Sequence, residues 1–256
     1  MPADYFRLRQ VCLVAPALEP VARAFDEVFG LAMCFQDEHV AKYGLVNGLF
    51  PVGTDFLEVV VPTREGTAAG RFLEATGGRG GYMAIFDCSD PEPRAENARR
   101  LGVRIANEIR HDGYRGWQLH PKDCRAAMIE FDRSEGADDP RGAYHPAGGR
   151  DWVRHVRDDV TLRMTSITLR SPRPDDLAAH WSRLLQRELR DGRIATDAMA
   201  IRFEAGPADG RESLARIAMQ VRRPDEVIDA ARSRALPVEG RSVFVAGVWF
   251  DAVGAD

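Results

Sequence analysis

Apolar and β-branched residues run together over 8–15, which reads as a strand, and Pro16 and Pro20 then break it. Val21, Phe25, Val28 and Phe29 recur at the spacing of an amphipathic helix, with Gly30 placed as its stop. Short strands are expected at 33–35, 44–51 and 56–62, the last two joined by the turn Gly53-Thr54-Asp55. This is one β-α-β-β-β unit. The pattern then repeats: strand 81–86, helix 93–101, and strands 105–110, 116–120 and 126–131. Gly78-Arg79-Gly80-Gly81 opens a strand rather than a helix and reads as a turn.

Residues 134–150 are rich in Gly, Pro, Asp and Arg, as a connector would be. Beyond them, strand 162–169, helix 175–189 and strand material in 194–203 form a third unit. Strand 214–221, helix 224–234 and strands within 243–253 form a fourth. A period of this length signals internal duplication rather than a solenoid. Each unit has too few strands to bury a face alone, so the units should pair into curved sheets. The expected fold is α+β, with two tandem domains of paired βαβββ units: residues 1–133, a linker at 134–160, and residues 161–256.

Composition narrows the function. The 256 residues carry a formal charge of −4 with both signs interspersed, which offers no electrostatic footprint for nucleic acid. Cys12, Cys34, Cys88 and Cys124 show no C-x-x-C spacing and fit buried thiols in a reducing compartment. The first ten residues lack the apolar run of a signal peptide, and no stretch has the length of a membrane span. A cytoplasmic protein without membrane or nucleic-acid partners is expected, as a monomer or homodimer. The chain has no G-x-S-x-G, no P-loop, and no G-x-G-x-x-G between a strand and a helix. None of the six histidines pairs at i, i+4 or as H-x-H, so no local zinc motif is present.

Three segments then carry a resemblance. Leu8-Arg9-Gln10-Val11-Cys12-Leu13 stands where vicinal oxygen chelate proteins have L-D-H-V-A-I. Phe50-Pro51-Val52-Gly53-Thr54-Asp55-Phe56-Leu57-Glu58 is similar to their F-P-V-G-x-T-x-L-E-L. Trp117-Gln118-Leu119-His120-Pro121-Lys122-Asp123, followed by Met128-Ile129-Glu130-Phe131, resembles the F-I-H-P-K-D and L-I-E-F of methylmalonyl-CoA epimerases. The likeness to this glyoxalase, bleomycin-resistance and dioxygenase superfamily spans residues 7–132 and continues more loosely over 162–253.

The resemblance implies a cup of eight strands in which a divalent metal polarises a substrate with vicinal oxygens. It places Gln10, Glu58, Tyr82 and Glu130 at the four ligand positions. Gln10, Glu58 and Glu130 suit Mg²⁺, Mn²⁺ or Zn²⁺, whereas a neutral phenol is a poor ligand. The rival is a metal-free pocket, where two nearby carboxylates raise one another's pKa and supply a general acid or base. The epimerase base resembles a glutamate just ahead of a glycine. Here Ala41-Lys42-Tyr43-Gly44 puts Lys42 in its place, with Glu38 a few residues earlier. His120 is a candidate ligand-binding residue, though a His-Pro-Lys turn favours a structural role. Tyr144, His145, Pro146 and His155 are candidates for a lid. The same alignment gives the second half Ser166, Glu204, Arg216 and Phe250, a set without a chelate site.

Two functions follow: a glyoxalase-like lyase or isomerase acting on a small oxygenated substrate through Glu58 and Glu130, or a metal-free protein that sequesters a small molecule as bleomycin-resistance proteins do.

Overall fold

The computed structural model describes residues 4–111, 113–144, 148–206 and 210–255. The first unit comprises β1 (Phe6–Val14), α1 (Leu18–Phe29), β2 (Leu45–Val52), β3 (Asp55–Pro62) and α2 (Ala68–Ala75). The second comprises β4 (Gly81–Cys88), α3 (Glu92–Arg100), β5 (Ile105–His111), β6 (Tyr114–Leu119), the short α4 (Pro121–Cys124) and β7 (Met128–Ser134). These strands form a seven-stranded sheet in the order β2-β3-β1-β4-β7-β6-β5.

The third unit has β8 (Thr161–Ser171), α5 (Pro174–Leu185), β9 (Leu189–Arg190), β10 (Arg193–Ala195) and β11 (Ala200–Ala205). The fourth has β12 (Ser213–Val221), α6 (Pro224–Ser233), β13 (Val238–Glu239), β14 (Ser242–Val245) and β15 (Val248–Gly254). They build an eight-stranded sheet, β13-β14-β15-β12-β8-β11-β10-β9. In each sheet the first strands of two units pair antiparallel at the centre, β1 with β4 and β8 with β12. Each of these pairs in parallel with the last strand of its own unit. The α+β tandem of curved mixed sheets is therefore the observed architecture.

Strand alternation divides the side chains of β1 between two cores. Phe6, Leu8, Val11 and Leu13 join the large core shared with α1 and the second sheet, whereas Cys12 and Val14 join a smaller cluster with Val60, Met83, Ile85 and Met128 on the opposite face. Helix α1 ends at Gly30 (φ 67°), whose left-handed backbone sends the next N–H groups back to the Asp26 and Phe25 carbonyls. Its Phe25 and Phe29 meet Phe250 of β15 at ring-centroid distances of 5.5 and 5.4 Å. Trp181 of α5 donates to the Cys124 carbonyl at 3.0 Å. The two sheets thus share one core behind them, and their opposite faces look outward.

Three features depart from the sequence pattern. The strand expected at 33–35 is reduced to an isolated bridge between Phe35 and Leu49. Helix α2, capped by the Thr67 hydroxyl on the Gly70 N–H, lies in a stretch too short and mixed to show periodicity. Helix α5 stops at Leu185 because Gln186 turns into the left-handed region (φ 50°). The connector between the sheets is also firmly docked, despite its loop-like composition. Arg7 and Arg9 donate to the carbonyls of Ala137 and Pro140 at 2.6 and 3.0 Å, and Trp152 donates to that of Gly142 at 2.9 Å. Tyr144 stacks on Phe56 at 5.0 Å.

Among the described residues, no helix is long and apolar enough to cross a membrane.

Candidate functional site

The outward face of the first sheet forms a cavity of about 560 Å³. Helix α2 and the 3-10 turn Glu38–Tyr43 contribute to its lining alongside the strands. Gln10, Glu58, Tyr82, His120 and Glu130 all line it.

The strand register shows how they are related. Gln10 lies opposite Ile85 and Cys12 opposite Met83 across the central pair. Cys12 pairs in turn with Glu58, and Ile85 with Glu130. The internal two-fold that exchanges the units therefore maps Glu58 onto Glu130 and Gln10 onto Met83. Tyr82 is the extra residue of the β-bulge between the pairs Cys12–Met83 and Leu13–Gly81. The fourth ligand place of the superfamily pattern is filled by Met83, not by Tyr82. β1 carries the matching bulge at Arg9, between the pairs Leu8–Phe86 and Gln10–Ile85, so Arg9 corresponds to Tyr82 and Gln10 to Met83, a register that only the strand pairing fixes.

Both glutamates are buried, Glu58 at 8% and Glu130 at 3% exposure. Glu58 accepts from Asn47 Nδ2 at 2.7 Å and from Gln10 Nε2 at 2.8 Å. Glu130 accepts from the Tyr114 hydroxyl at 2.6 Å and from Gln118 Nε2 at 2.8 Å. Burial pushes both carboxyls up from the usual range; the hydrogen bonds oppose this, and the negative charge of Glu58 raises Glu130 further. Tyr82, tilted against Phe72 at 4.9 Å, is raised to about 12 by burial and is a neutral phenol at ordinary pH.

Sequence reading missed three members of this site. Gln118 stood inside a quoted motif, and Asn47 is a polar residue in the apolar strand β2. Tyr114 lies ahead of the expected strand start at 116, and its hydroxyl also reaches Asp132 Oδ2 at 3.0 Å. Beyond it, Asp132 accepts from Tyr144 at 3.1 Å, and the neighbouring Asp87 pairs with the fully buried Arg9 at 2.8 Å. Tyr144 thus sits beneath the floor of the cup and does not form a lid; positions 145–147, with His145 and Pro146, lie outside the described residues. His155 is the exposed last residue of a 3-10 turn and does not line the cavity.

The rim is polar. Lys42 lines the cavity, with its ammonium 4.9 Å from the centre of the Tyr43 ring, whereas Glu38 does not line it. His120 caps α4: its ring nitrogen accepts from the Lys122 N–H at 3.3 Å and lies 3.1 Å from Arg104. Those contacts hold it in the turn at the edge of the pocket.

The same two-fold applied to the second sheet identifies Ser166, Arg202, Arg216 and Asp251 as the equivalent positions. Glu204 and Phe250, expected there from sequence, lie elsewhere: Glu204 pairs with Arg170, and Phe250 is in the core. Arg216 and Asp251 form an ion pair, joined by Ser242, across the face where a ligand would sit.

A resident divalent cation fits this cup poorly. All four carboxylate oxygens of Glu58 and Glu130 already accept from neutral donors. The fourth place holds a soft thioether, unsuited to Mg²⁺, Mn²⁺ or Zn²⁺ in an oxygen set. Among the described residues, no group of three or more His, Cys, Asp or Glu side chains is arranged to hold a metal.

Comparison with known proteins places this geometry in context. A methylmalonyl-CoA epimerase from Streptomyces coelicolor, solved with 2-nitronate-propionyl-CoA, is 23% identical over 51% of this chain and 98% of its own, with a TM-score of 0.45. A hypothetical protein from Staphylococcus aureus is 12% identical but superposes over 96% of this chain and 98% of its own, with a TM-score of 0.65, so the fold extends through both sheets. No curated protein matches the chain significantly. The family model described as "Glyoxalase-like domain" matches residues 11–185, from the first central strand through helix α5. The chain belongs to the glyoxalase-like domain family of the vicinal oxygen chelate superfamily.

Proposed function

We propose that the N-terminal cup is the working site of a glyoxalase-like enzyme, a lyase or isomerase that moves protons on a small oxygenated substrate. The observation that carries this reading is a pair of buried glutamates on one cavity floor, both held above the usual carboxylate range. Raised carboxyls of this kind are suited to general acid–base work.

The hydrogen bonds divide the roles. Glu58 is held by two amide N–H groups, which favour its anion and make it the base. Glu130 is held by one amide and one phenol. A hydroxyl can reverse, so Tyr114 can donate to Asp132 and accept a hydrogen bond from Glu130 once Glu130 has taken up a proton, which lets Glu130 return that proton to the substrate as the acid. Gln10 and Tyr82 orient the substrate, and His120 shapes the rim. The four cysteines are free thiols, which supports a reducing, cytoplasmic setting.

The test is incubation with a panel of α-hydroxy and α-amino carbonyl compounds in D₂O, followed by NMR. Deuterium is expected next to the carbonyl, and Glu58→Gln should abolish its incorporation. A second reading, sequestration without chemistry, is supported by Lys42 standing where the epimerase pattern has its base. It predicts saturable binding with no exchange in any compound that binds.

A further inference from the structure

We propose that the molecule received by this cup is an organic cation, whose protonated amine is held jointly by Glu58, Glu130 and the Gln10 carbonyl oxygen. The inference rests on the cup being the working site, and it narrows the substrate class to small, amine-bearing oxygenated compounds.

Charge is the first argument. Glu58 and Glu130 both face the cavity from buried positions, and neither forms an ion pair among the described residues. Their partners are two amides at Glu58, and an amide and a phenol at Glu130, all neutral. Lys42 and Arg71 also line the cavity, but the Lys42 ammonium rests against Tyr43 and Arg71 donates to the Gly66 carbonyl, so neither neutralises a glutamate. Two buried carboxyls without a cation are costly as anions and repel a ligand carboxylate or phosphate. A ligand that brings positive charge removes that cost.

Donor and acceptor counts are the second argument. A carboxylate offers about four lone-pair sites; Glu130 uses two, and Glu58 uses two for amides with the Cys12 thiol as a third, weak donor, so both keep free acceptor capacity. Gln10 Oε1 is buried with no hydrogen-bond partner, on a residue 3% exposed that lines the cavity. Its amide cannot simply turn over, because that would set Oε1 against Glu58. The floor therefore holds a surplus of acceptors. A ligand hydroxyl donates one hydrogen, whereas an ammonium donates three and accepts none. An ammonium also imposes no rigid coordination geometry, so it can use the free lone pairs while the amide and phenol donors stay in place. Val60, Met83, Ile85 and Met128 then cover the carbon skeleton of the guest.

The experiment titrates the full chain by calorimetry with n-butylamine, n-butanol and butyrate, and separately with MgCl₂, MnCl₂ and ZnCl₂. Butylamine is expected to bind 1:1 and butanol at least tenfold more weakly, with no binding of butyrate. Glu58→Gln and Glu130→Gln should each weaken the amine at least tenfold. Gln10→Met, which leaves both carboxyls intact, should weaken it severalfold and serves if a glutamate variant fails to fold. Absence of amine binding, equal binding of butanol or butyrate, or a 1:1 metal complex lost in Glu58→Gln overturns the proposal. Binding of butanol or butyrate that Glu58→Gln abolishes would overturn the cation and leave the cup as the site. Loss of binding with an Arg216 variant alone would remove the cup as well.

Discussion

Met83 occupies on β4 the position that Gln10 occupies on β1, each two residues along its strand from the partner of a buried glutamate. One side chain in a four-fold ligand pattern is therefore a thioether. Met83→His is expected to convert the cup into a Zn²⁺ site by adding an imidazole to Gln10, Glu58 and Glu130. Calorimetry should show 1:1 Zn²⁺ binding in the variant, at least tenfold tighter than in the parent. Equal Zn²⁺ affinity in the two proteins would mean that the register assignment is wrong.

Function should reside in the first sheet alone. Glu58→Gln and Glu130→Gln keep side-chain volume and remove the ionisable group, so each is expected to abolish turnover or lower ligand affinity at least tenfold. Glu204→Gln should change neither, because Glu204 is occupied with Arg170 on the far sheet. Parallel assays of the three variants with one ligand decide the point, and loss only in Glu204→Gln would place function in the other half.

The buried acids give an unusual pH dependence of stability. Burial raises Glu58, Glu130 and Asp132 above their ordinary values, and Asp55 from 3.8 to about 7. A carboxyl with a raised folded-state pKa binds its proton more tightly when folded. Its contribution is present below the unfolded pKa and is lost as pH rises through the folded value. For Asp55 that window runs from 3.8 to about 7. Thermal midpoints are expected to fall between pH 5 and pH 8, with a shallower fall in Asp55→Asn. A midpoint that rises over this range would contradict the assignment.

The connector should contribute to stability as a core element does. Trp152 is 1% exposed and meets Phe56 at 4.9 Å. Trp152→Ala is expected to destabilise the chain by about 3–5 kcal/mol, the usual cost of truncating a buried aromatic. Denaturant melts would register this, whereas a free linker would show a change near zero.

Much of this protein was legible in its sequence, because alternation and helical spacing are local properties. The four repeated units and the succession of their elements follow from such patterns, whereas the joint placement of Glu58 and Glu130 came from the family resemblance. The pairing of Leu45–Val52 with Asp55–Pro62 was likewise marked by Gly53-Thr54-Asp55. Three things were settled only by tertiary structure. The pairing of β1 with β4, with matching bulges at Arg9 and Tyr82, put Met83 in the fourth place, since register depends on the partner strand as much as on a strand's own residues. Asn47, Tyr114 and Gln118 became partners of the glutamates because neighbouring strands carry them there from distant positions. The orphaned oxygen of Gln10 exists only once burial has removed water and Glu58 has taken the amide nitrogen. Hydrogen-bond satisfaction is a property of the assembled site, and no single stretch of chain contains it.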